Sequence, residues 1–203
     1  MSTGNGVDYR IPASLGVGAV AVTLGGIFVA AALTPWFSVF GNALSHLGAR
    51  GQVAAPIFNG SLVLGGILGA GFVAGLWELT TEPLRKAGLF FALLAVVCMA
   101  FVGRFPIPSG LHFVFAVLFF FFLTVAVFLW GGGDYADGRH ERGLALILGA
   151  TVHLVVWVWW ILFPWLPRGI AIPELVGSFV LAIWVIWVSL DLYRAMRVEA
   201  VTF

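Results

Sequence analysis

The stretch "LHFVFAVLFFFFLTVAVFLWG", residues 111–131, decides the fold. It carries no charged side chain, and its polar groups are His112 and Thr124 alone. At ~1.5 Å of rise per residue, a helix of this length covers about 30 Å, the thickness of a bilayer's hydrocarbon core. Its surroundings have the same character. The chain has 203 residues, is 62% hydrophobic and 9% charged, and has a mean hydropathy of +1.08. That leaves too little polar surface to cover a water-soluble globule of this size.

Working outward, apolar runs of roughly 17 to 25 residues recur near 14–35, 55–77, 87–103, 111–131, 144–165 and 173–193. The breaks between them are Pro35-Trp36, Glu78 to Lys86, Arg104 to Gly110, "GGGDYADGRHERG" and "PWLPRGIAIPE". The expected fold is all-α, a polytopic bundle of six transmembrane helices in one integral membrane domain. The first run reaches spanning length with a single Arg10 as its charged flank and shows no small-residue cleavage site, so it is expected to remain in the mature chain.

Charge settles the expected orientation. An even number of spans puts Arg10, Arg85, Lys86, Arg139, Arg142, Arg194 and Arg197 on one side, against Arg50, Arg104 and Arg168 on the other. Positively charged loops stay inside, so both termini are expected to be cytoplasmic and the protein multi-pass in the cell membrane. Trp36, Trp77, Trp130, Trp165 and Trp187 fall near span ends, as an interfacial belt does, whereas Trp159 and Trp160 sit deeper and read as packing residues. Small-xxx-small rows of glycine in the first two spans predict that these two form the tight core.

The composition also removes function classes. A net charge of +1, with its cations scattered, offers no field for nucleic acid. Cys98 is the single cysteine, so there is neither a disulfide framework nor a thiolate cluster. Lys86, the sole lysine, lies in a loop, which leaves no lysine in a span for a retinal Schiff base. His153 is the one histidine expected near mid-bilayer, too few for bis-histidine haem. No acidic residue is predicted in the apolar interior of a span. No cofactor and no metal are expected.

The polar run "GNALSHLGARG", residues 41–51, stands out between the first two spans. If residues 38–47 form a helix, Ser38, Asn42, Ser45 and His46 share one arc and Phe40, Leu44 and Leu47 the other. Ser38 suits the N-cap and Gly48 a left-handed C-terminal cap. The segment 37–48 is therefore expected to be a short amphipathic helix on the outer face. Two orientations are open: apolar arc on lipid and polar arc in water, or polar arc turned onto the top of the bundle. In the second, Asn42, Ser45, His46 and Asn59, together with Arg104 and His112 from the neighbouring outer segments, are the candidate ligand-binding set. His46 and His112 share a depth, and each reads equally as an interfacial histidine. Arg104 and Arg168 read as lipid-headgroup contacts, and Glu174 after Pro173 as ordinary helix-start chemistry.

Catalytic candidates come from the same set. Ser45 is a potential nucleophile and His112 its more plausible base, since neighbours on a helix point apart; Glu174 is the available orienting carboxylate. A hydrolase-type zinc site would need Glu174 or His153 as a third ligand beside His46 and His112. His153 reads either as a buried functional group or as an imidazole hydrogen-bonded to a carbonyl, Thr151 or Thr124. His140, among loop charges, reads as solvated.

The segments "PWFSVFGNALSHLGARGQVAAPIFNGSLVLGG" (35–66) and "VGRFPIPSGLHFVFAVLFF" (102–120) resemble the six-span family catalogued as domain of unknown function 998, found among archaea. The matching positions are Ser45, Leu47-Gly48, Phe58-Asn59, Phe105-Pro106 and His112; relatives carry Asp where this chain has His46. More distantly, the layout resembles the six-span proteins of the fibroblast-growth-factor-receptor-activating and damage-regulated autophagy modulator group, a resemblance that implies lipids as a subject. Three functions follow as expectations. The first is binding of a membrane lipid or small amphiphile in an outer polar pocket. The second is hydrolysis or transfer on a lipid or lipid-linked substrate through Ser45 and His112. The third is a structural subunit, with a homo-oligomer or a membrane complex as partner.

Overall fold

The computed structural model describes residues 9–163 and 169–201, with side chains as far as residue 196. Among the described residues the chain is all-helical, without a strand. It runs α1 Arg10–Ala32, α2 Ala55–Leu79, α3 Pro83–Arg104, α4 Gly110–Ala136, α5 His140–Leu162 and α6 Ala171–Val201, with a 3-10 helix at Leu44–Gly48 between α1 and α2. All six α-helices are long and apolar enough to cross a membrane. Trp165 and Arg168 lie outside the described residues, as does the side chain of Arg197.

The helix ends differ from the hydropathy reading for identifiable reasons. The third helix starts at Pro83 instead of 87, because Pro83 needs no N–H partner in a first turn. There Glu82 caps it, accepting from the N–H groups of Leu84 at 2.9 Å and Arg85 at 2.6 Å. The fourth does not stop at 131. It continues through Gly131, Gly132 and Gly133 to Ala136 and ends where Gly138 takes a φ of +84°, a left-handed turn suited to glycine. The triple glycine is thus a stretch of close packing. Gly131 lies against Gly143 of α5, and Gly133 against Arg85 of α3.

Consecutive helices pack on one another, and α6 closes the bundle onto α1 and α4. Glycines do bring α1 and α2 together, Gly26 against Ser61 and Gly65 against Thr23. The expectation that these two form the core is nevertheless corrected, since α3 is the most buried of the six and α5 the least. Gly66 and Gly69 carry α2 onto Val96 of α3, and Gly103 carries α3 onto Asn59 of α2, which is how α3 becomes interior. Phe72, Leu89, Val127 and Trp184 anchor one half of the core, and Leu47, Phe58, Met99 and Leu123 the other.

Two tryptophan expectations also change. Trp130 is buried edge-on against Trp184, and Trp159 is exposed on the lipid-facing surface. Burial of Trp130 follows from the extra turn of α4, which moves this residue inward from the helix end.

Candidate functional site

The polar run between α1 and α2 is not the ten-residue amphipathic helix of its periodicity. Residues 38–43 form turns, and only Leu44–Gly48 is helical, in the tighter 3-10 geometry. Gly48 has no left-handed φ; it is small because Phe58 and Asn59 of α2 press on it. The reason lies 130 residues away. Residues 40–44 are clamped to the beginning of α6: the Gly169 N–H donates to the Phe40 carbonyl at 3.0 Å, and that of Ala171 to the Asn42 carbonyl at 3.0 Å. The Leu44 N–H donates to Glu174 Oε2 at 2.6 Å. Gly169 lies so near the Asn42 backbone that there is no space for a Cβ. Glu174 thus satisfies an orphan donor at the start of the short helix.

The orientation of this helix corrects the proposed polar arc. Leu44 and Leu47, three apart, turn into the bundle together, and Ser45 is buried beside them. His46 is exposed, its Nδ1 accepting from the Ala43 N–H at 3.3 Å, so it does not join His112. Asn42 folds back on its own turn and accepts from the Ser38 N–H at 2.8 Å. Asn59 donates to the Gly48 carbonyl at 2.8 Å, holding the segment to α2. Arg104 is exposed, its guanidinium 5.6 Å from the Phe105 ring. Asn42, His46, Asn59 and Arg104 are therefore outside the cavity they were expected to share. Asn42 and Asn59 secure the segment that closes it.

What converges is a different set. Ser45, His112 and Glu174 line one cavity of about 40 Å³, walled by Ile27, Phe58, Met99 and Phe119. All three are at least nine-tenths buried. His112 Nδ1 lies 3.0 Å from the Phe105 carbonyl, which can only accept, so the ring proton is assigned to Nδ1. That leaves Nε2 as a buried lone pair with no partner among the described residues. No hydrogen bond among the described residues joins Ser45 to His112. Below this cavity lies an apolar one of about 50 Å³, lined by residues that include Leu24, Phe72, Val96 and Trp184. Met99, Phe119 and Ser178 are walls of both.

His153 is fully buried away from this cavity and is satisfied on both nitrogens. Trp157 Nε1, a donor only, donates to Nε2 at 2.8 Å, which assigns the ring proton to Nδ1, 2.9 Å from Thr124 Oγ1. Thr124 in turn donates to the Phe120 carbonyl. This is the hydrogen-bonded alternative among the readings of His153, and it joins α5 to α4.

The opposite end of the bundle holds what the sequence reading missed. Asp134, expected in the loop after residue 131, is fully buried in the last turn of α4. Three arginines converge on it: Arg85 Nη1 at 3.4 Å, Arg139 Nη2 at 2.8 Å and Arg142 Nε at 2.8 Å. Arg85 also bonds Asp137 at 2.6 Å, and Arg142 bonds Asp191 of α6. Paired, hydrogen-bonded charge is the form in which buried carboxylates persist. A cavity of about 190 Å³ opens beside this network, lined in part by Thr80, Thr81, Arg85, Arg139, Arg142 and Asp191. The sequence signal was the acidic residue four positions after Trp130, hidden by reading three glycines as a break. Among the described residues, no group of three His, Cys, Asp or Glu side chains is placed to hold a metal ion.

These features belong to a six-helix integral membrane protein with a buried polar trio at one end and an ionic network at the other. Residues 17–191 match the family described as "Protein of unknown function (DUF998)", and the chain belongs to that family. No curated protein and no solved structure matches it.

Proposed function

We propose that this protein binds a membrane lipid or small amphiphile, with the polar end at Ser45, His112 and Glu174 and the alkyl portion in the apolar cavity below. The observation that carries the reading is the shared wall. Met99, Phe119 and Ser178 separate a polar chamber from an apolar one along the bundle, the arrangement an amphiphile needs. As they stand, the two hold only a few waters, so the described form is closed. Entry requires the 41–52 segment to lift, which breaks the Leu44–Glu174 bond together with those of Ala171 to Asn42 and of Asn59 to Gly48. The excess of cations at the other end favours cytoplasmic termini in the cell membrane, with the Ser45 cavity toward the outer leaflet.

Native mass spectrometry of the full chain, extracted in mild detergent, tests the reading. One retained amphiphile per chain is the expected result, with loss of that adduct in Met99→Trp, which fills the shared wall. A bare wild-type chain that also takes up no added lysophospholipid overturns it.

A second reading, hydrolysis or transfer on a lipid or lipid-linked substrate, is favoured by the unpartnered His112 Nε2 in a cavity that also presents a serine hydroxyl and a carboxylate. It makes Ser45 reactive. A fluorophosphonate probe then labels Ser45 in the wild type and loses its target in His112→Ala. Absence of labelling in the lipid-loaded wild type leaves binding alone.

A further inference from the structure

The ionic network at the Asp134 end does more than join helices. We propose that the cavity of about 190 Å³ beside it is a second binding site, for a phosphate-class anion held by Arg85, Arg139 and Arg142. Nothing in this inference depends on the Ser45 cavity.

Among the described residues, the cavity wall carries three guanidinium groups and one carboxylate, Asp191. That carboxylate is already engaged twice, by Arg142 and by Arg194 at 3.6 Å. The other acids of the network are not wall residues: Asp134 is sealed in α4, Asp137 lies beyond it, and Glu82 is spent on capping α3. Each guanidinium has five N–H donors in a planar fork, and the carboxylates engage only some of them. Arg142 uses Nε and Nη1 on Asp134 and Asp191, and Arg139 uses Nη2 alone on Asp134 and Asp137. Among the described residues, no ion pair is formed through Arg142 Nη2 or through Arg139 Nη1 or Nε.

The carboxylates also fix the guanidiniums in the cavity wall, so an anion bound there needs little further ordering of them, which favours bidentate recognition of phosphate. The Thr80 and Thr81 hydroxyls add neutral donors from the α2–α3 turn. Phosphate matches this set better than a carboxylate does, because its oxygens reach several forks at once. A volume of about 190 Å³ accepts a phosphate with part of what it is esterified to. The source is either free phosphate or a phospholipid headgroup from the leaflet at this end.

Isothermal titration calorimetry on the full chain in an uncharged detergent separates the sources. The titrants are inorganic phosphate at matched ionic strength, dioctanoyl phosphatidic acid, and dioctanoylglycerol, which has the same chains without phosphate. Saturable binding of phosphatidic acid but not of dioctanoylglycerol supports the site. Binding of inorganic phosphate as well assigns it to the free anion, and its absence assigns it to the headgroup. Arg139→Gln is expected to weaken binding about tenfold, the value of one charge-assisted hydrogen-bond pair. At 40% side-chain exposure Arg139 is the least structural of the three, so the variant should fold. Thr81→Val, on an exposed turn, is the second variant and should weaken binding a few-fold. Met99→Trp, at the opposite end, should leave it unchanged, so that failure here and failure of the amphiphile reading are told apart. No saturable binding of phosphate or phosphatidic acid overturns the proposal, and so does full affinity in both Arg139→Gln and Thr81→Val.

Discussion

The two ends of the bundle solve the problem of buried polarity in opposite ways. At the Ser45 end, a carboxylate and an imidazole are buried beside a serine, and their contacts are single hydrogen bonds to main-chain groups: Glu174 to Leu44, His112 to Phe105. At the Asp134 end, charge meets charge, with three arginines on one buried carboxylate. The difference is one of cost. A single hydrogen bond to the main chain contributes about 1 kcal/mol net and can be exchanged for water, whereas a member of a buried ion network cannot leave without depriving its partners of their counter-charge. The Ser45 end is therefore the end free to open, and the Asp134 end holds α3, α4, α5 and α6 together while it does.

The sharpest way to break this comparison is Asp134→Asn, which keeps the shape and removes the charge. It removes the buried carboxylate that three guanidiniums share and leaves them Asp137 and Asp191, and the expected loss is about 3–5 kcal/mol. Reversible unfolding of the purified chain in mixed micelles measures it. Glu174→Gln, which can still accept from the Leu44 N–H, is expected to lose only about 1 kcal/mol in the same assay. Equal losses would mean that the two ends do not differ in kind.

An effect smaller than that of Asp134→Asn, and more local, sharpens the role of the 41–52 segment. Glu174→Ala removes the acceptor for the Leu44 N–H and should release the short helix at a cost of about 1–3 kcal/mol. The change should be local. Hydrogen exchange should accelerate in residues 43–49 and remain slow in α3 and in α4 around Asp134. Faster exchange throughout the bundle would show that Glu174 is part of the global core and not the latch of one segment.

These contrasts also explain what was legible beforehand. The six spans could be read because spanning length and hydropathy are properties of a continuous stretch, and 111–131 alone carries the signal. Ser45 and His112 could be paired because each opens onto the same end of the bundle. The helix at 38–47 could not be read correctly. Its period fits an α-helix, but its conformation is set by hydrogen bonds to Gly169, Ala171 and Glu174, which no local pattern encodes. Glu174 sits where a carboxylate is ordinary helix-start chemistry, so its reach to Leu44 was hidden by a sufficient local explanation. Asp134 was hidden by propensity. Glycine is a poor helix former in isolation, yet Gly131 and Gly133 are required where α5 and Arg85 approach α4.

The middle of the bundle offers the finest test. His153 is buried like Asp134 but held like the Ser45 end, by Trp157 on one nitrogen and Thr124 on the other. If that reading holds, the nitrogen chemical shifts of His153 should report the tautomer with its proton on Nδ1. Trp157→Phe leaves Nε2 without its donor and should lose about 1 kcal/mol, well below Asp134→Asn, with the fold unchanged. A loss as large as that of Asp134→Asn would move His153 into the class of groups whose removal strands a charge. The tautomer and the stability change therefore have to agree, since a proton on Nε2 could not face the Trp157 N–H at 2.8 Å.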